Sequence, residues 1–496
     1  MRVTSEIGRL RSVLVHTPGP ELLAVTPATR DDYLYDDIID VDAAQREHRR
    51  FVAILERFAT VRFVRDLLAE IATVPEAREL LMRETAEIVG SSPLAEKIKR
   101  RPPAELVQML IEGEAEPPGP LARSLNEVGY MLPPLPNLFF TRDTAMVVGA
   151  HVIIGSMRYG ARWSEELLMK ALFRYHAALA NDGILYDGAA ERRHNYTLEG
   201  GDIHPLRADT VMIGFSERTS PAAIDTVTDA LFAQTPITDV IIVVMPTETT
   251  AIHLDMVFTQ LDTDLCSVFP PAFIGAERLS VLHRRKGQHE LKEMPNVFAA
   301  LQSVSLPMEP VFCGGERRIV QEREQWASGC NFFAVRPGVV LSYDRSEITL
   351  VEMQKMGFRT VSAASFLNGD ERLKDGERAV ITFEGAELVR AGGGARCMTL
   401  PLEREDPWAR GLARRRRRSP RARSSSSRAV PPAPCRSSST CARCPARRRW
   451  WPSRWRSRSS RSIPASRATR MGAGRSPERR APRARGRNVS RISPTR

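Results

Sequence analysis

Cys397 lies in the run Gly392-Gly393-Gly394-Ala395-Arg396-Cys397-Met398-Thr399, late in a 496-residue chain. A thiol on such a loop can meet a ligand closely, because glycine has no Cβ to hold the backbone away. Three upstream segments supply carboxylates and an imidazole: Thr141-Arg142-Asp143, Glu199-Gly200-Gly201-Asp202 and His253-Leu254-Asp255. A thiol, a histidine and several carboxylates suit nucleophilic attack on a cationic, electrophilic carbon. None of these groups is diagnostic alone. A lone cysteine is usually a small buried hydrophobe. A lone histidine is more often structural than catalytic, and Asp255 alone more often a cap or turn residue. Glu-Gly-Gly-Asp is a ready-made turn. Gly392–Gly394 is followed by no Lys-Ser/Thr, so it is not a phosphate loop. The other histidines form no metal-ligand pattern, and neither a metal nor a redox cofactor is expected.

Residues so far apart need a fold to gather them. Short β-branched runs predict strands at Arg11–His16, Val61–Val64, Ala145–Val148, Val152–Ile154, Thr210–Gly214, Asp239–Met245, Leu265–Phe269 and Val339–Tyr343. Helical periodicity falls between several of them, over Asp42–Phe58, Ser164–Ala180 and Pro221–Ala233. That alternation reads as α/β. Between about 66 and 125 the pattern changes, and the region reads as a small helical insert. There Ser92-Pro93 serves as cap and first-turn proline, and the run 105–112 is amphipathic. Spacing alone leaves a barrel, an open sheet and a propeller of repeated units all open.

The net charge of +13 is unevenly spread. Residues 404–496 hold 29 arginines, no lysine and three acids (Glu405, Asp406, Glu478), a balance of +26, which leaves −13 for the rest. The tail, taken as 407–496, has almost no core-forming residues, and disorder is expected from about Ala409. Its Arg/Ser/Pro/Ala text reads best as a frameshift or read-through product of a GC-rich gene. Alternatively, its arginines, with Trp450, Trp451 and Trp455, bind nucleic acid. Its Cys441-Ala442-Arg443-Cys444 lacks a second ligand pair for zinc. The body's four cysteines, Cys266, Cys313, Cys330 and Cys397, are too scattered for a disulfide framework. With no apolar leader and no 18-residue apolar run, a cytoplasmic protein with a free Cys397 thiol and no membrane partner is expected.

Taken together, several segments resemble arginine deiminase, of the guanidino-modifying (pentein) superfamily. They are Ser5-Glu6-Ile7-Gly8-Arg9-Leu10-Arg11, Leu135-Pro136-Asn137-Leu138-Phe139-Phe140-Thr141-Arg142-Asp143, Leu198-Glu199-Gly200-Gly201-Asp202, Ile213-Gly214-Phe215-Ser216-Glu217-Arg218-Thr219, His253-Leu254-Asp255-Met256-Val257-Phe258, Gln325-Trp326 and Arg396-Cys397-Met398-Thr399. They occur in the family's order and span roughly Met1 to Asp406. The resemblance implies a five-bladed, pseudo-symmetric α/β-propeller of ββαβ units from 1–65 and 126–406, with 66–125 as a helical insert. It implies hydrolysis of L-arginine to L-citrulline and ammonia, in arginine catabolism, by a homo-oligomer. Asp143 and Asp255 would each take one fork of the planar guanidinium. Cys397 would attack its carbon, His253 would act as general acid and then base, and Glu199 would orient His253. Arg162 and Arg218 would meet the substrate carboxylate, with Asn137 a polar contact, Phe140 along the alkyl stem and Leu34 at the border of the pocket.

One position departs from the family. An arginine usually stands five residues before the cysteine, in a pattern resembling Arg-Gly-Gly-Xaa-Xaa-Cys, and here Gly392 occupies it. Arg390 and Arg396 are near but out of register. The departure bears on substrate affinity rather than on the chemistry of the thiol. An amidinotransferase or a weakened deiminase is the nearest alternative, and a nucleic-acid-binding protein using its tail is the alternative from another class.

Overall fold

The computed structural model describes residues 1–117, 119–125, 129–191, 196–247 and 251–409. The Arg-rich tail, with its expected disorder and its Cys-Ala-Arg-Cys run, lies outside the described residues apart from its first few positions, and so does His194.

Five sheets share one connectivity: an antiparallel pair, then a crossover to a strand parallel to the second of the pair. Leu400–Arg404 pairs antiparallel with Leu10–Val15, which runs parallel to Thr60–Phe63. Ala145–Val148 and His151–Ile154 pair, and Ile184–Asp187 joins the second. Ile203–Arg207 and Thr210–Phe215 are followed by Asp239–Val244 in register, Asp239 opposite Thr210. Phe258–Gln260 and Leu265–Val268 take Glu309–Phe312. Phe333–Arg336 and Val339–Tyr343 take Ala379–Phe383. Parallel neighbours need a long crossover, which is why a helix follows most hairpins. The first sheet is completed by the last strand, so the segment before Leu400 returns to the start of the chain.

Local sequence sets the crossover helices. Val41–Glu56 starts at Asp40, whose side chain accepts the amide of Ala43 at 2.6 Å, and it buries Phe51, Ile54 and Leu55. Pro221–Gln234 starts on Ser220 with proline in its first turn. The helix expected over Ser164–Ala180 runs Trp163–Tyr175 and then breaks. At the break, His176 Nδ1 accepts the amide of Ala178 at 3.1 Å and Nε2 meets Glu70 at 3.0 Å. A side chain bonded to nearby backbone competes with helix continuation.

Helices also fill Val64–Ile71, Pro75–Val89, Ser92–Arg100 and Pro103–Glu112. The third has Ser91, not Ser92, at its N-cap. These helices share one apolar cluster with the sheets and the helix Trp163–Tyr175: Leu68, Leu81, Leu94 and Leu110 are in it with Leu14, Val147 and Leu168. Among the described residues, no helix is long and apolar enough to cross a membrane.

Candidate active site

Each chemical residue sits in a short segment leading into the first strand of a sheet, and four different sheets contribute. Asp143 lies in the turn Thr141–Thr144, just before Ala145–Val148. Glu199 precedes the turn Gly200–Asp202 and the strand Ile203–Arg207. His253 precedes the turn Leu254–Met256, which carries Asp255, before Phe258–Gln260. Cys397 stands shortly before Leu400–Arg404. Strand ends from several sheets therefore converge, as residues hundreds of positions apart must for a composite site.

One narrow cavity is walled by Leu34, Asn137, Phe140, Asp143, Arg162, Arg218, His253, Gly392, Gly393 and Cys397. Glu199 and Asp255 are fully buried behind this wall. Asp255 Oδ2 lies 3.5 Å from the Cys397 sulfur. His253 Nε2 is 2.9 Å from Glu199 Oε2, and Nδ1 is 3.8 Å from Asp143 Oδ1, an ion-pair distance too long for a hydrogen bond. Asp143 Oδ2 accepts from Arg162 Nη1 at 2.8 Å, and Asp255 Oδ2 from Arg396 Nη1 at 2.8 Å. The second oxygen of each aspartate, Oδ1, is buried without a hydrogen-bond partner among the described residues. A buried carboxylate oxygen left unpaired is costly, so two of them beside one thiol call for donors from a ligand.

The other wall residues are tied down. Arg162 gives Nε and Nη2 to Glu165 at 3.1 and 2.9 Å. Arg218 gives Nε to Glu217 at 2.7 Å and Nη1 to Glu199 at 3.4 Å, and lies over the Tyr159 ring. Asn137 Nδ2 donates to the Tyr33 carbonyl at 2.8 Å. Leu34 is held at φ +65°, a left-handed conformation that costs a branched side chain about 1 kcal/mol. Strain of that kind persists only where surrounding contacts impose it.

Electrostatics divide the labour. Burial works against a charge on His253, but Asp143, the hydrogen bond with Glu199 and Asp202 outweigh it and raise its pKa to about 9. His253 is therefore an imidazolium at neutral pH. Burial also opposes ionisation of Glu199, yet Arg218 and then His253 bring it down to about 2. For Asp255 burial is again opposed, chiefly by Arg396, and its carboxyl is held below the usual carboxylate range. Burial, then Asp255 and Asp143, push the Cys397 thiol well above its ordinary value. The thiol is thus protonated until something cationic offsets the two aspartates. Ligand atoms of Asp143, Glu199 and His253 lie within 4.8 Å of one another, close enough for a metal ion. Arg162 and Arg218 already pair with those carboxylates, however.

Sequence reasoning missed three contributors. Glu6 is buried and takes Arg396 through Nε and Nη2, each at 3.2 Å. Arg396, set aside as out of register, is buried and braces Asp255. Asn331 touches the sulfur itself, with Nδ2 at 3.2 Å. The need of a buried arginine for a counter-charge could have pointed to Glu6 within its quoted segment. No local signal marks Asn331. Arg390 lies away from the cavity, paired with Asp37 at 2.6 Å.

Fold and cavity together define an α/β protein in which a buried thiol, an imidazolium and the half-satisfied carboxylate of Asp143 face one small space, with a second half-satisfied carboxylate, Asp255, against the sulfur behind them. Residues 31–404 match the family model described as arginine deiminase. Curated relatives include the arginine deiminase of Listeria welshimeri, 32% identical over 428 residues, covering 82% of this chain and 99% of the relative. That of Lactococcus lactis is 32% identical over 429 residues, with the same coverages. Among solved structures, the N-terminal domain of ArgZ, covalently bound to a reaction intermediate, is similar at 13% identity and a TM-score of 0.45, covering 79% of this chain and 98% of that one. The chain belongs to the arginine deiminase family.

Proposed function

We infer that the protein hydrolyses L-arginine to L-citrulline and ammonia through an amidino-cysteine intermediate. The observation that carries this reading is the pair of unpartnered oxygens on Asp143, which lines the cavity with the thiol, and on Asp255, whose other oxygen touches the sulfur. A guanidinium offers a planar fork of N–H donors and a positive charge, and both are what these oxygens lack. Burial, then the two aspartates, keep Cys397 protonated; entry of a cation offsets the aspartates and stabilises the thiolate in the buried site, so the thiol loses its proton to solvent as substrate binds. The sulfur then attacks the central carbon. His253 gives its Nδ1 proton to the departing nitrogen, ammonia leaves, and the neutral imidazole next takes a proton from water. Addition of that hydroxide and cleavage of the C–S bond release citrulline. Arg162, Arg218 and Asn137 are assigned to the amino-acid end of the substrate, Phe140 to its alkyl stem and Leu34 to the rim.

The test is incubation with arginine alone, with citrulline and ammonia measured. Equal amounts with no added acceptor amine support hydrolysis; product formed only with an acceptor would mean amidino transfer. The family resemblance also supports finer readings: the five sheets as blades of a pentein propeller built from 1–65 and 126–406, residues 66–125 as a helical insert, and a cytoplasmic homo-oligomer.

Two further outcomes follow from this site. Glu199→Gln keeps an acceptor for His253 Nε2 but removes a negative charge. The His253 pKa then falls from about 9 toward the ordinary 6.5, and the general acid is lost at lower pH. The alkaline limb of the pH profile of kcat/KM is expected to move to lower pH by roughly one unit or more. An unmoved limb would detach His253 from that limb. Gly392→Arg places a cation on the cavity lining, and a lower KM for arginine is expected, on the order of 10-fold for one charge-assisted hydrogen bond. Gly392 has φ +84°, and an added Cβ would stand 3.6 Å from Asp36 Oδ2. A drop in Tm should therefore accompany the gain. An unchanged or higher KM would show that Asp36 takes the new side chain instead.

A further inference from the structure

Four of the five sheets deliver Asp143, Glu199, Asp255 and Cys397 from the segments leading into their first strands. The fifth such segment, before Phe333–Arg336, delivers Asn331. We propose that Asn331 is a catalytic residue whose side-chain Nδ2 hydrogen-bonds the reacting sulfur and holds it aimed at the guanidinium carbon. The proposal rests on the reading of Cys397 as nucleophile.

Asn331 is buried, and its orientation follows from its surroundings. Oδ1 accepts the backbone amides of Arg396 at 2.8 Å and Cys397 at 3.3 Å. Nδ2 must then face the other way, where it meets Cys397 Sγ at 3.2 Å and the Asp255 carbonyl at 3.3 Å. All four hydrogen-bonding positions of the amide are used, so the side chain has one stable pose. Two different groups thus contact the sulfur. Asp255 Oδ2 accepts from a thiol but repels a thiolate, whereas an amide N–H bonds a thiolate more strongly than a thiol. As the proton leaves, the contact with Asn331 strengthens while that with Asp255 weakens, and this differential is what assists the reaction. The donor is also uncharged. A lysine or arginine here would stabilise the thiolate yet repel the cationic substrate, and a neutral amide avoids that conflict.

The backbone is shaped around this contact. A Cβ on Gly394 would lie 2.7 Å from both Cβ and Oδ1 of Asn331, so the nucleophile loop needs glycine there for the amide to reach it. On the other side, a tight turn after the helix Arg318–Trp326 fixes the asparagine. In that turn Ser328 has φ +62° and its carbonyl takes the Asn331 amide at 3.0 Å.

The deciding experiment uses the full chain with Asn331→Asp, Asn331→Ser and, as control, Cys397→Ser. Asn331→Asp keeps an oxygen for the two backbone amides and replaces the donor with a negative charge. Its kcat is expected to fall on the order of 100-fold, with a much smaller change in KM. Alkylation of the Cys397 peptide by iodoacetamide, followed by mass spectrometry across pH, should slow about 10-fold near pH 8. Because the new charge by itself slows alkylation, the uncharged Asn331→Ser discriminates: a merely structural asparagine would leave its alkylation profile in place. If Asn331→Asp does not fold, Asn331→Ser gives the same two readings. A folded variant with the parent's kcat and alkylation profile overturns the proposal while Cys397→Ser remains inactive. Citrulline formation by Cys397→Ser would instead overturn the nucleophile reading, and the role of Asn331 with it.

Discussion

Cys397→Ala is expected to abolish citrulline formation while leaving the protein folded. Loss of a covalent nucleophile leaves only binding and electrostatics, and turnover drops on the order of 10⁴-fold or more. Stability should change little. The substitution removes one buried sulfur from an apolar cluster that includes Met398 and Phe140, about the cost of a small cavity, roughly 1 kcal/mol. Citrulline and ammonia assays beside a thermal melt check both halves. Persistent citrulline formation in a folded Cys397→Ala protein would end the assignment of the sulfur as nucleophile.

The next largest effect belongs to the carboxylates. Asp143→Asn and Asp255→Asn each leave a group of the same shape without its charge. Removing one partner of a buried, hydrogen-bonded charge pair costs about 2–5 kcal/mol, or roughly 30- to 5000-fold in kcat/KM. Asp255→Asn carries a sharper signature. Asp255 is the foremost charge opposing the Cys397 thiolate, so its loss lowers the thiol pKa. Alkylation of Cys397 at neutral pH should then become faster while turnover with arginine becomes slower. A residue acting only on thiol ionisation would move both rates the same way. Parallel changes would therefore argue against Asp255 as a clamp on the substrate.

Part of the architecture was legible because it is locally encoded. Ser220-Pro221 announces a helix start, and Pro221–Gln234 begins where that pair says it should. The second strands of the hairpins, such as Thr210–Phe215 and Val339–Tyr343, are β-branched runs that stand out on inspection. Several leading strands escaped notice. Phe258–Gln260, Phe333–Arg336 and Leu400–Arg404 are short and mostly buried on both faces, so they lack the polar–apolar alternation that marks a strand. Yet the segments just before them carry the chemistry. Asn331 shows the limit most plainly: its neighbours in the chain say nothing of a sulfur that lies 66 residues further on.

The order of residue types along the chain was enough to name the thiol, the imidazole, the three carboxylates and the reaction class they suit, because those properties belong to side chains and survive any folding. Only the tertiary structure decided which oxygen of each aspartate stays open, why His253 holds its proton at neutral pH, and which groups brace the clamp. Contacts such as Glu6 with Arg396 join residues 390 positions apart, and the charge state of a buried group depends on its distance from every other charge and on the loss of water around it. Those quantities come into being when the last strand closes against the first.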